Sequence, residues 1–417
     1  MNNISGLKCV TCAKEYLLSQ IEYTCPDCGP ISGTLDMIYD YNLIKNRLTR
    51  QSLKQNSNYS HWRYLPLLPV KNQQLICHLS VGWTPVYRAE KLENQFGLKK
   101  IWVKDDGRNP SASLKDRASS VAVVRALEKK TKTVTAASTG NAASSWAVFT
   151  ALTDLRTIIF VPKKTPEAKL TQLLLYGAEV IQVNGNYDEA FELCCRAAEK
   201  WDWYNRSTAI NPVLGEGKKT AALEICEQLF WQVPDYIFVP VGDGCIIQGM
   251  WKGFKEFYQL KLIDKLPKMV GVQAEGSAPL VHAWDAGTKT AKPVIPKTVA
   301  DSISVGIPRD QIKALRAVRE SGGFFISVSD EEILSAISTL AKAVGVFAEP
   351  AGAAGMAGLQ RSIQDGLCKS NEEAVVMVTG NGLQDIEGVK KAIKTKPIYV
   401  ENILEDVEEK LLGRPLR

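Results

Sequence analysis

The sequence predicts an α/β protein built on mostly parallel β-sheets that helices cover on both faces. From about residue 81 onward, short runs rich in β-branched residues alternate with longer amphipathic stretches. This alternation is typical of parallel strands joined by crossover helices. The predicted strands are residues 101–103, 133–136, 157–161, 179–183, 236–239, 269–273 and 374–378.

Three of the predicted strands lead directly into glycine-rich turns. The turns read TAASTGN at 135–141, FVPVGDG at 238–244 and VMVTGNG at 376–382. Ligands of open α/β sheets gather beyond the carboxyl ends of the strands, so the three turns indicate one shared cleft. A dinucleotide-binding Rossmann domain is the structural alternative. The chain lacks its signature, a G-x-G-x-x-G motif at a helix start with an acidic residue about 20 residues further on.

Composition and charge limit the classes of function. The chain has 417 residues, of which 45% are hydrophobic, enough for two or three packed units. Its formal net charge of +6 is spread along the sequence without a long block of like charges. This distribution is typical of a solvated surface and not of a nucleic-acid interface, and it is compatible with a small anionic substrate.

The N-terminal segment MNNISGLKCV has neither the charged start nor the apolar run of a signal peptide. No stretch of about 18 apolar residues follows anywhere in the chain. We therefore expect a cytoplasmic protein that does not bind membranes.

Four of the ten cysteines form two close pairs near the start of the chain. Cys9-x2-Cys12 and Cys25-x2-Cys28 are separated by twelve residues, and the other six cysteines are scattered. Two such pairs predict a tetrahedral zinc site with four thiolate ligands. Four protein ligands leave no open position for chemistry, so we expect a structural ion. The scattered cysteines indicate a reducing compartment.

A lysine stands at the start of a predicted helix, after a turn rich in Gly, Asn and Pro. The segment reads VKDDGRNPSASLKDRASS and contains Lys115 in a Ser-x-Lys-Asp-Arg run. Alone, this run is also typical of a helix start with charged surface residues. Its context favours a site, because residues 138–141 and 242–246 each follow a strand and open a helix. The N–H groups of the first turn suit a carboxylate and those of the second suit a phosphate.

Together these motifs closely resemble the fold type II pyridoxal-5'-phosphate (PLP) enzymes, and among them the threonine synthase group. The resemblance runs from Gly82-Trp-Thr-Pro85, similar to the family's G-x-T-P, to Thr379-Gly-Asn-Gly-Leu383. It includes the N-terminal zinc ribbon that some members carry. The resemblance implies two parallel or mixed-sheet subdomains, as in tryptophan synthase β, with the cofactor in the cleft. It also implies a carbon–oxygen lyase that performs elimination or replacement on a small L-amino acid.

The resemblance assigns roles residue by residue. Lys115 would form the Schiff base with PLP and act as the base at Cα, while Asn141 would bond the phenolic oxygen of the ring. Thr379 would meet the pyridine nitrogen, where a hydroxyl favours elimination over transamination because it does not enforce a pyridinium. Glu349 would lie near the ring or cap a helix. Implied phosphate ligands are Gly242, Asp243, Gly244, Cys245 and Ile246, and implied substrate ligands are Ser138, Thr139, Gly140 and Lys218.

The same resemblance divides the chain into segments. We expect a zinc ribbon at 1–35, a connector at 36–80 that wraps onto the next domain, and a PLP catalytic domain at 81–417. A smaller subdomain, roughly 131–235, is expected to be inserted in the larger one. Residues 401–413 have helical spacing and are expected to pack on the outside.

The chain departs from the threonine synthases in the segment that binds the substrate phosphate. The family segment resembles N-S-x-N-P-x-R-x-E-G-Q-K-T, and this chain has Ala209 at the serine position and Leu214 at the arginine position. Because Arg is the preferred bidentate phosphate ligand, its loss predicts weaker binding of O-phosphohomoserine. Lys218, at the family's glutamine position, could partly compensate. We also expect Asp243 to point away from a phosphate and Cys245 to pack as a small apolar residue.

Three other functions remain open at this stage. A PLP ammonia-lyase of the threonine or serine dehydratase type, or a β-replacement enzyme on a different substrate, is favoured by Ala209 and Leu214. A PLP-binding regulatory protein without turnover is disfavoured by the intact Lys115, Asn141 and Thr379. A zinc-ribbon nucleic-acid binder is the weakest alternative. We expect a homodimer, since most soluble oligomers are symmetric.

Overall fold

The computed structural model describes residues 3–165 and 167–412, and in these ranges thirteen strands form three β-sheets. The strands are β1 (Ile4–Cys9), β2 (Glu15–Tyr16), β3 (Leu35–Tyr39), β4 (Val86–Arg88), β5 (Lys100–Asp105), β6 (Thr133–Ala137), β7 (Arg156–Pro162), β8 (Glu179–Val183), β9 (Tyr204–Asn205), β10 (Tyr236–Pro240), β11 (Lys268–Ala274), β12 (Phe324–Val328) and β13 (Glu373–Val378).

Seventeen α-helices lie in the same described ranges. They are α1 (Gly29–Ser32), α2 (Tyr41–Ile44), α3 (Arg50–Gln55), α4 (Glu90–Phe96), α5 (Lys115–Glu128), α6 (Asn141–Thr150), α7 (Glu167–Leu175), α8 (Tyr187–Trp201), α9 (Val213–Lys218), α10 (Thr220–Gln228), α11 (Cys245–Gln259), α12 (Pro279–Asp285), α13 (Gln311–Glu320), α14 (Asp330–Val344), α15 (Pro350–Gln364), α16 (Ile386–Lys390) and α17 (Leu404–Leu412). None of them is long and apolar enough to cross a membrane.

The larger sheet has six strands in the order β12-β11-β10-β13-β5-β4, and only β4 runs antiparallel to its neighbour. Its central strands β10, β11 and β13 are buried on both faces, and successive side chains of each strand point to opposite faces. Phe238 packs on the side of Met356 in α15, whereas Ile237 packs on the side of Met250 in α11. The predicted parallel sheet with helices on both faces is confirmed.

The smaller sheet has four parallel strands in the order β8-β7-β6-β9. Its strands lie between β5 and β10 in the chain, so this unit interrupts the larger sheet in sequence. All seven predicted strands are present, each within two residues of the predicted bounds. The short strands β4 and β9 and the strand β12 were not predicted.

The third sheet is antiparallel, with order β2-β1-β3, and carries the cysteine pairs. Its last strand, β3, extends beyond residue 35, where the prediction ended this module. The predicted connector packs against α10 and the end of α11. Tyr64 donates a 2.7 Å hydrogen bond to Glu227 Oε2, and Arg50 donates to the Leu262 carbonyl at 2.6 Å. At the other end of the chain, α17 has the predicted helical structure and is largely exposed, whereas Gly413 lies outside the described residues.

A network of buried charges fixes α5 against its neighbours. Arg117 Nε donates to Asp106 Oδ2 at 2.6 Å and Arg117 Nη2 to Glu224 Oε2 at 2.7 Å, while the Thr84 hydroxyl donates to Asp106 Oδ1 at 2.6 Å. A Cβ at Gly217 would lie 1.9 Å from the Arg117 carbonyl oxygen, so α9 packs closely on α5. The segment is a helix start, since α5 begins at Lys115, but Asp116 and Arg117 are buried and are not surface charges.

Candidate active site

The backbone holds the segment before Lys115 against two other loops. The Leu114 N–H donates to the Thr379 carbonyl at 2.9 Å, and the Glu349 N–H donates to the Gly380 carbonyl at 3.1 Å. The turn after β13 thus lies between the start of α5 and the start of α15. Residues from three distant parts of the sequence are thereby brought together at one edge of the larger sheet.

Lys115 and Thr379 line one cleft at this edge. The cleft contains about 480 Å³ of empty space, part of it open to solvent. Burial, together with the positive charges of Lys218 and Arg206, lowers the pKa of Lys115 to about 8. Near physiological pH roughly a fifth of this amine is therefore neutral, far more than for an ordinary lysine, and the neutral form is the nucleophile. The cleft is lined by Lys115, Thr208, Lys218, Pro240, Val241, Gly242, Asp243, Gly244, Cys245, Ile246, Ile247, Ser302, Ile303 and Thr379.

The glycine loop after β10 forms one wall of the cleft and begins the fifteen-residue helix α11. Gly244 has a φ of +93°, and a Cβ there would lie 2.6 Å from the Ala314 Cβ. A Cβ at Gly242 would lie 3.0 Å from Val305 Cγ2. Both positions therefore require glycine. The unsatisfied N–H groups of the first turn of α11 make this wall suitable for a phosphate group.

Asp243 and Cys245 flank Gly244 before and at the start of α11, and both line the cleft. Asp243 Oδ1 accepts a 3.1 Å hydrogen bond from the Arg309 backbone N–H, so the carboxylate is bonded to backbone. Cys245 is 5% exposed, and burial raises the pKa of its thiol. A thiol with a raised pKa is a poor nucleophile, which favours the packing role.

The turn after β6 carries Ser138, Thr139 and Gly140 and leads into α6. These residues are half-buried, and the Ser138 hydroxyl accepts a 3.2 Å hydrogen bond from the Gly140 N–H. A Cβ at Gly140 would lie 3.8 Å from Ser302 Oγ, so this turn faces the irregular segment that follows α12. The arrangement leaves backbone N–H groups at the start of α6 available for a carboxylate.

Asn141 and Glu349 form a buried pair. Asn141 Nδ2 donates to Glu349 Oε1 at 2.7 Å, and burial raises the pKa of Glu349 to about 7. A Cβ at Gly380 would lie 2.1 Å from Glu349 Oε1, so the turn after β13 packs directly on this pair. An amide NH₂ group has two hydrogens, and the second remains for a bound ligand.

Sequence reasoning missed Arg206, Ser302 and Ile303. Arg206 follows β9 and is 1% exposed, and Arg206 Nη2 donates to the Ser119 hydroxyl at 3.2 Å. Arg206 directly follows β9, which has only two residues and is too short to predict from the sequence. The sequence therefore gave no indication that this arginine is buried. Ser302 and Ile303 belong to a three-residue 3-10 helix, Asp301–Ile303, in the long connection between α12 and α13, and periodicity does not predict so short an element.

The four paired cysteines converge outside this cleft. The sulfur atoms of Cys9, Cys12, Cys25 and Cys28 lie within 4.8 Å of one another, and Cys12 Sγ is 3.8 Å from Cys25 Sγ. Thiolates at about 2.3 Å from a tetrahedral zinc ion are about 3.8 Å apart. The cluster is therefore compatible with zinc.

The sequence profile of the family described as "Pyridoxal-phosphate dependent enzyme" matches residues 78–380, which is most of the chain. The match spans the cleft from the segment before β4 to the turn after β13. The chain belongs to this family. It is a PLP-dependent lyase of the threonine synthase-like group, because its curated relatives share 36–42% identity over most of its length.

Two archaeal relatives align with nearly the whole of this chain. The threonine synthase of Methanocaldococcus jannaschii is 42% identical over 97% of this chain and 99% of its own length. The threonine synthase of Methanosarcina acetivorans is 39% identical over 98% of this chain and 99% of its own length.

Solved structures support the fold type II assignment. Threonine deaminase isoform 2 from Solanum lycopersicum superposes with a TM-score of 0.63 at 23% identity and covers 75% of this chain and 87% of its own. An L-serine ammonia-lyase from Rhizomucor miehei has a TM-score of 0.65 at 20% identity and covers 74% of this chain and 96% of its own. At these identities the comparison concerns the fold alone.

The residues of the cleft fit the cofactor of the family. A half-buried lysine in the cleft, whose amine has a lowered pKa, is available for the aldehyde. A Cβ at Gly242 or at Gly244 would meet neighbouring atoms, so the loop depends on its glycines. The loop leads into the N-terminus of α11, which suits a phosphate. Both features are what PLP requires of a protein.

Proposed function

We propose that Lys115 binds PLP covalently in this enzyme. The supporting observation is that its amine lies in the cleft where three distant turns meet, with a pKa lowered to about 8. When bound, PLP supplies an electron sink for negative charge at the substrate Cα. Lys115 would also act as the base that accepts the proton from the substrate Cα.

We infer the remaining ligands from their position around the cleft. The glycine loop at Gly242 and Gly244 and the N-terminus of α11 would hold the cofactor phosphate. Thr379 would meet the pyridine nitrogen, and Asn141 would bond the phenolic oxygen with its second N–H. The Ser138 hydroxyl, the Thr139 N–H and the N–H groups at the start of α6 would hold the substrate carboxylate.

We propose threonine formation from O-phosphohomoserine as the specific activity. The two archaeal relatives that span the whole chain carry the name threonine synthase, which supports this proposal. The overall reaction would convert O-phosphohomoserine and one water into threonine and inorganic phosphate. Protons would leave Cα and Cβ, the C–O bond at Cγ would break with its electron pair on the phosphate, Cγ would take up a proton, and water would add its hydroxyl to Cβ while Cα regains a proton.

A second candidate is an ammonia-lyase or β-replacement activity on an unphosphorylated amino acid. The observation in its favour is that Leu214, at the family's phosphate-binding arginine position, is 1% exposed within the apolar core. This position offers no charge to a phosphate, so a phosphorylated substrate requires another cation.

The covalent assignment is tested by borohydride reduction of the purified enzyme, followed by peptide mapping. We expect the reduced cofactor on Lys115 and a loss of turnover in Lys115→Ala. Lys91→Ala, an exposed lysine on α4, is the matched control and should retain both cofactor and turnover. A cofactor found on another lysine, or full turnover in Lys115→Ala, contradicts the assignment.

We further propose that the cysteine cluster binds a structural zinc ion as a zinc ribbon, and that the enzyme is a cytoplasmic homodimer. The support is the sulfur geometry for zinc and the general preference for symmetric oligomers for the dimer. Metal analysis under reducing conditions and light scattering test the two proposals.

A further inference from the structure

A second crevice lies between the cysteine module and the catalytic unit, and we call it the module crevice. Asp36 of β3 and Tyr41 of α2 line one wall, while α11 together with Lys313 and Arg316 of α13 lines the other. The crevice contains about 700 Å³ of empty space, part of it open to solvent. Pockets that bind small molecules typically have about 300 to 1,000 Å³. The module crevice therefore has the size of a ligand site.

Helix α11 turns a polar face toward the crevice. The lining residues on this helix recur at intervals of three and four positions, which places them on one face. They are Gln248, Trp251, Lys252, Lys255, Glu256 and Gln259. The opposite face carries Ile247, Met250 and Phe254, which pack in the apolar core. The polar face thus leads inward from the surface, and it suits a polar occupant.

Gln248 is the inner polar group of this face. Its side chain is only 7% exposed, and its amide has no hydrogen-bond partner among the residues that the structure describes. A buried amide without partners is unfavourable in a folded protein. Because an amide group both donates and accepts, a ligand with a hydroxyl or amide group would satisfy it.

The charges around the crevice are of both signs and are already paired. Every charged side chain that lines it has an oppositely charged partner within 3.5 Å. Arg316 Nη2, for example, donates to Asp36 Oδ2 at 2.5 Å. Although burial disfavours its charged form, Lys313 and Arg316 lower the pKa of Asp36 to about 2, so its carboxylate is ionised at neutral pH. A ligand with a net charge would disturb this balance, whereas a ligand with one charge of each sign preserves it.

We propose that the module crevice is a second ligand site, which binds a free amino acid with a small polar side chain in its zwitterionic form. The carboxylate would face Lys255 and Arg316 at the mouth, where their side chains are 42% and 38% exposed. The ammonium group would face Asp36, so that the zwitterion lies antiparallel to the Arg316–Asp36 pair. Its polar side chain would reach the Gln248 amide.

The proposed site is separate from the Lys115 cleft, but the same helices hold both. Within the described residues the two sites share no lining residue. The Gln248 N–H donates to the Gly244 carbonyl at 3.2 Å, and the Asp310 N–H, directly before α13, donates to the Asp243 carbonyl at 2.9 Å. A bound amino acid would thus join the cysteine module to the two helices that fix the glycine loop. The melting temperature should therefore rise with the concentration of the amino acid.

The first test uses matched ligands, with L-threonine as the probe. The holoenzyme is reduced with borohydride, which prevents exchange of the cofactor with an added amine, and is then titrated in a calorimeter. We expect saturable binding of L-threonine. N-acetyl-L-threonine and L-threonine methyl ester each lack one charge and should bind at least about tenfold more weakly. L-valine lacks only the hydroxyl and should bind about threefold more weakly, since one hydrogen bond is lost.

The second test places the bound amino acid in the crevice by substitution. Gln248→Leu should remove the preference for L-threonine over L-valine, because the partner of the hydroxyl is lost. Lys255→Gln should weaken L-threonine binding about threefold, as this cation is partly exposed. Gln364→Leu, at an exposed glutamine of α15, and Lys91→Gln, at an exposed lysine of α4, are the matched controls and should match the unmodified enzyme.

Three results would overturn the proposal. The first is the absence of saturable L-threonine binding to the reduced holoenzyme. The second is binding of either single-charge analogue as tightly as L-threonine. The third is unchanged affinity and selectivity in both Gln248→Leu and Lys255→Gln, which would place the amino acid elsewhere. The inference does not rest on the role of Lys115, because reduction blocks exchange at whichever lysine holds the cofactor.

Discussion

At the scale of single residues, burial of charge sets the chemistry of the cleft. Lys115 has a lowered pKa and Glu349 a raised pKa, and in both cases burial is the main cause. Each group is thereby shifted toward its neutral form near pH 7. A neutral amine suits covalent attachment of an aldehyde, and the neighbouring carboxyl orients Asn141 by a hydrogen bond.

The lowered pKa of Lys115 predicts the pH dependence of cofactor attachment. Because only the neutral amine adds to the aldehyde, the rate of PLP attachment to the apoenzyme should rise with pH and level off above about 8. Lys218→Met removes one neighbouring positive charge, so the midpoint should move to higher pH. Stopped-flow absorbance measures the midpoint, and Lys91→Ala is the control. A midpoint near the ordinary lysine value of 10.5 in the unmodified protein contradicts the prediction.

Because Ala209 and Leu214 stand where the family segment has serine and arginine, the sequence alone predicts that Ala209→Ser with Leu214→Arg improves use of a phosphorylated substrate. The structure changes this expectation, because Leu214 is enclosed by apolar side chains. Leu214→Arg should cost more than about 3 kcal/mol in the free energy of unfolding, as an uncompensated buried charge. Chemical denaturation measures this loss, with Leu214→Met as the matched apolar control. Unchanged stability in Leu214→Arg would mean that this side chain can reach the cleft.

At the scale of elements, the glycine loop between β10 and α11 is the part of the cleft with the least steric freedom. Gly244 requires both a left-handed backbone and the absence of a Cβ, since Ala314 and the Asp310 carbonyl lie against it. The loop therefore fixes the direction of the first N–H groups of α11. A preorganised helix N-terminus is what an anion site needs.

Gly244→Ala should lower both stability and cofactor affinity. The steric overlap and the left-handed φ together should cost more than about 2 kcal/mol of unfolding free energy. Gly345→Ala is a matched control, because Gly345 has a φ of +73° with nothing within 4 Å of a Cβ. It should cost only about 1 kcal/mol. Chemical denaturation measures the loss of stability in both variants, and titration with PLP measures their cofactor affinity. Equal losses of PLP affinity in Gly244→Ala and Gly345→Ala would contradict the prediction.

At the scale of the whole molecule, the cysteine module is attached to the catalytic unit by buried and half-buried ion pairs. Lys313 on α13 donates to the Leu35 carbonyl at 3.2 Å and lies 3.4 Å from Asp310 Oδ1. Arg316 Nη2 donates to Asp36 Oδ2 at 2.5 Å. The Asp310 N–H in turn donates to the Asp243 carbonyl at 2.9 Å. The module therefore supports the helix that packs behind the cofactor loop.

Removal of the proposed zinc should destabilise the protein more than it changes the active site. We expect one zinc ion per chain, and chelation or Cys25→Ser should lower the melting temperature by at least about 5 °C. The spectrum of bound PLP should change little, because the cluster lies outside the cleft. Cys77→Ser, at a half-buried cysteine outside the cluster, is the control. A metal-free protein prepared under reducing conditions, with unchanged stability after Cys25→Ser, contradicts this prediction.

The sequence by itself determined the parallel sheets, because alternation of short apolar runs with amphipathic stretches follows from burial on both faces. It also determined which turns meet, since the carboxyl ends of parallel strands lie at one edge, and it gave the four cysteine positions by their spacing. Only the tertiary structure decided that Arg117 is internal, that Leu214 lies in the core and that Arg206 is buried against Ser119 of α5. These three features depend on contacts between residues that are distant in the chain. The residue type alone does not show which side chains will surround it in the folded protein.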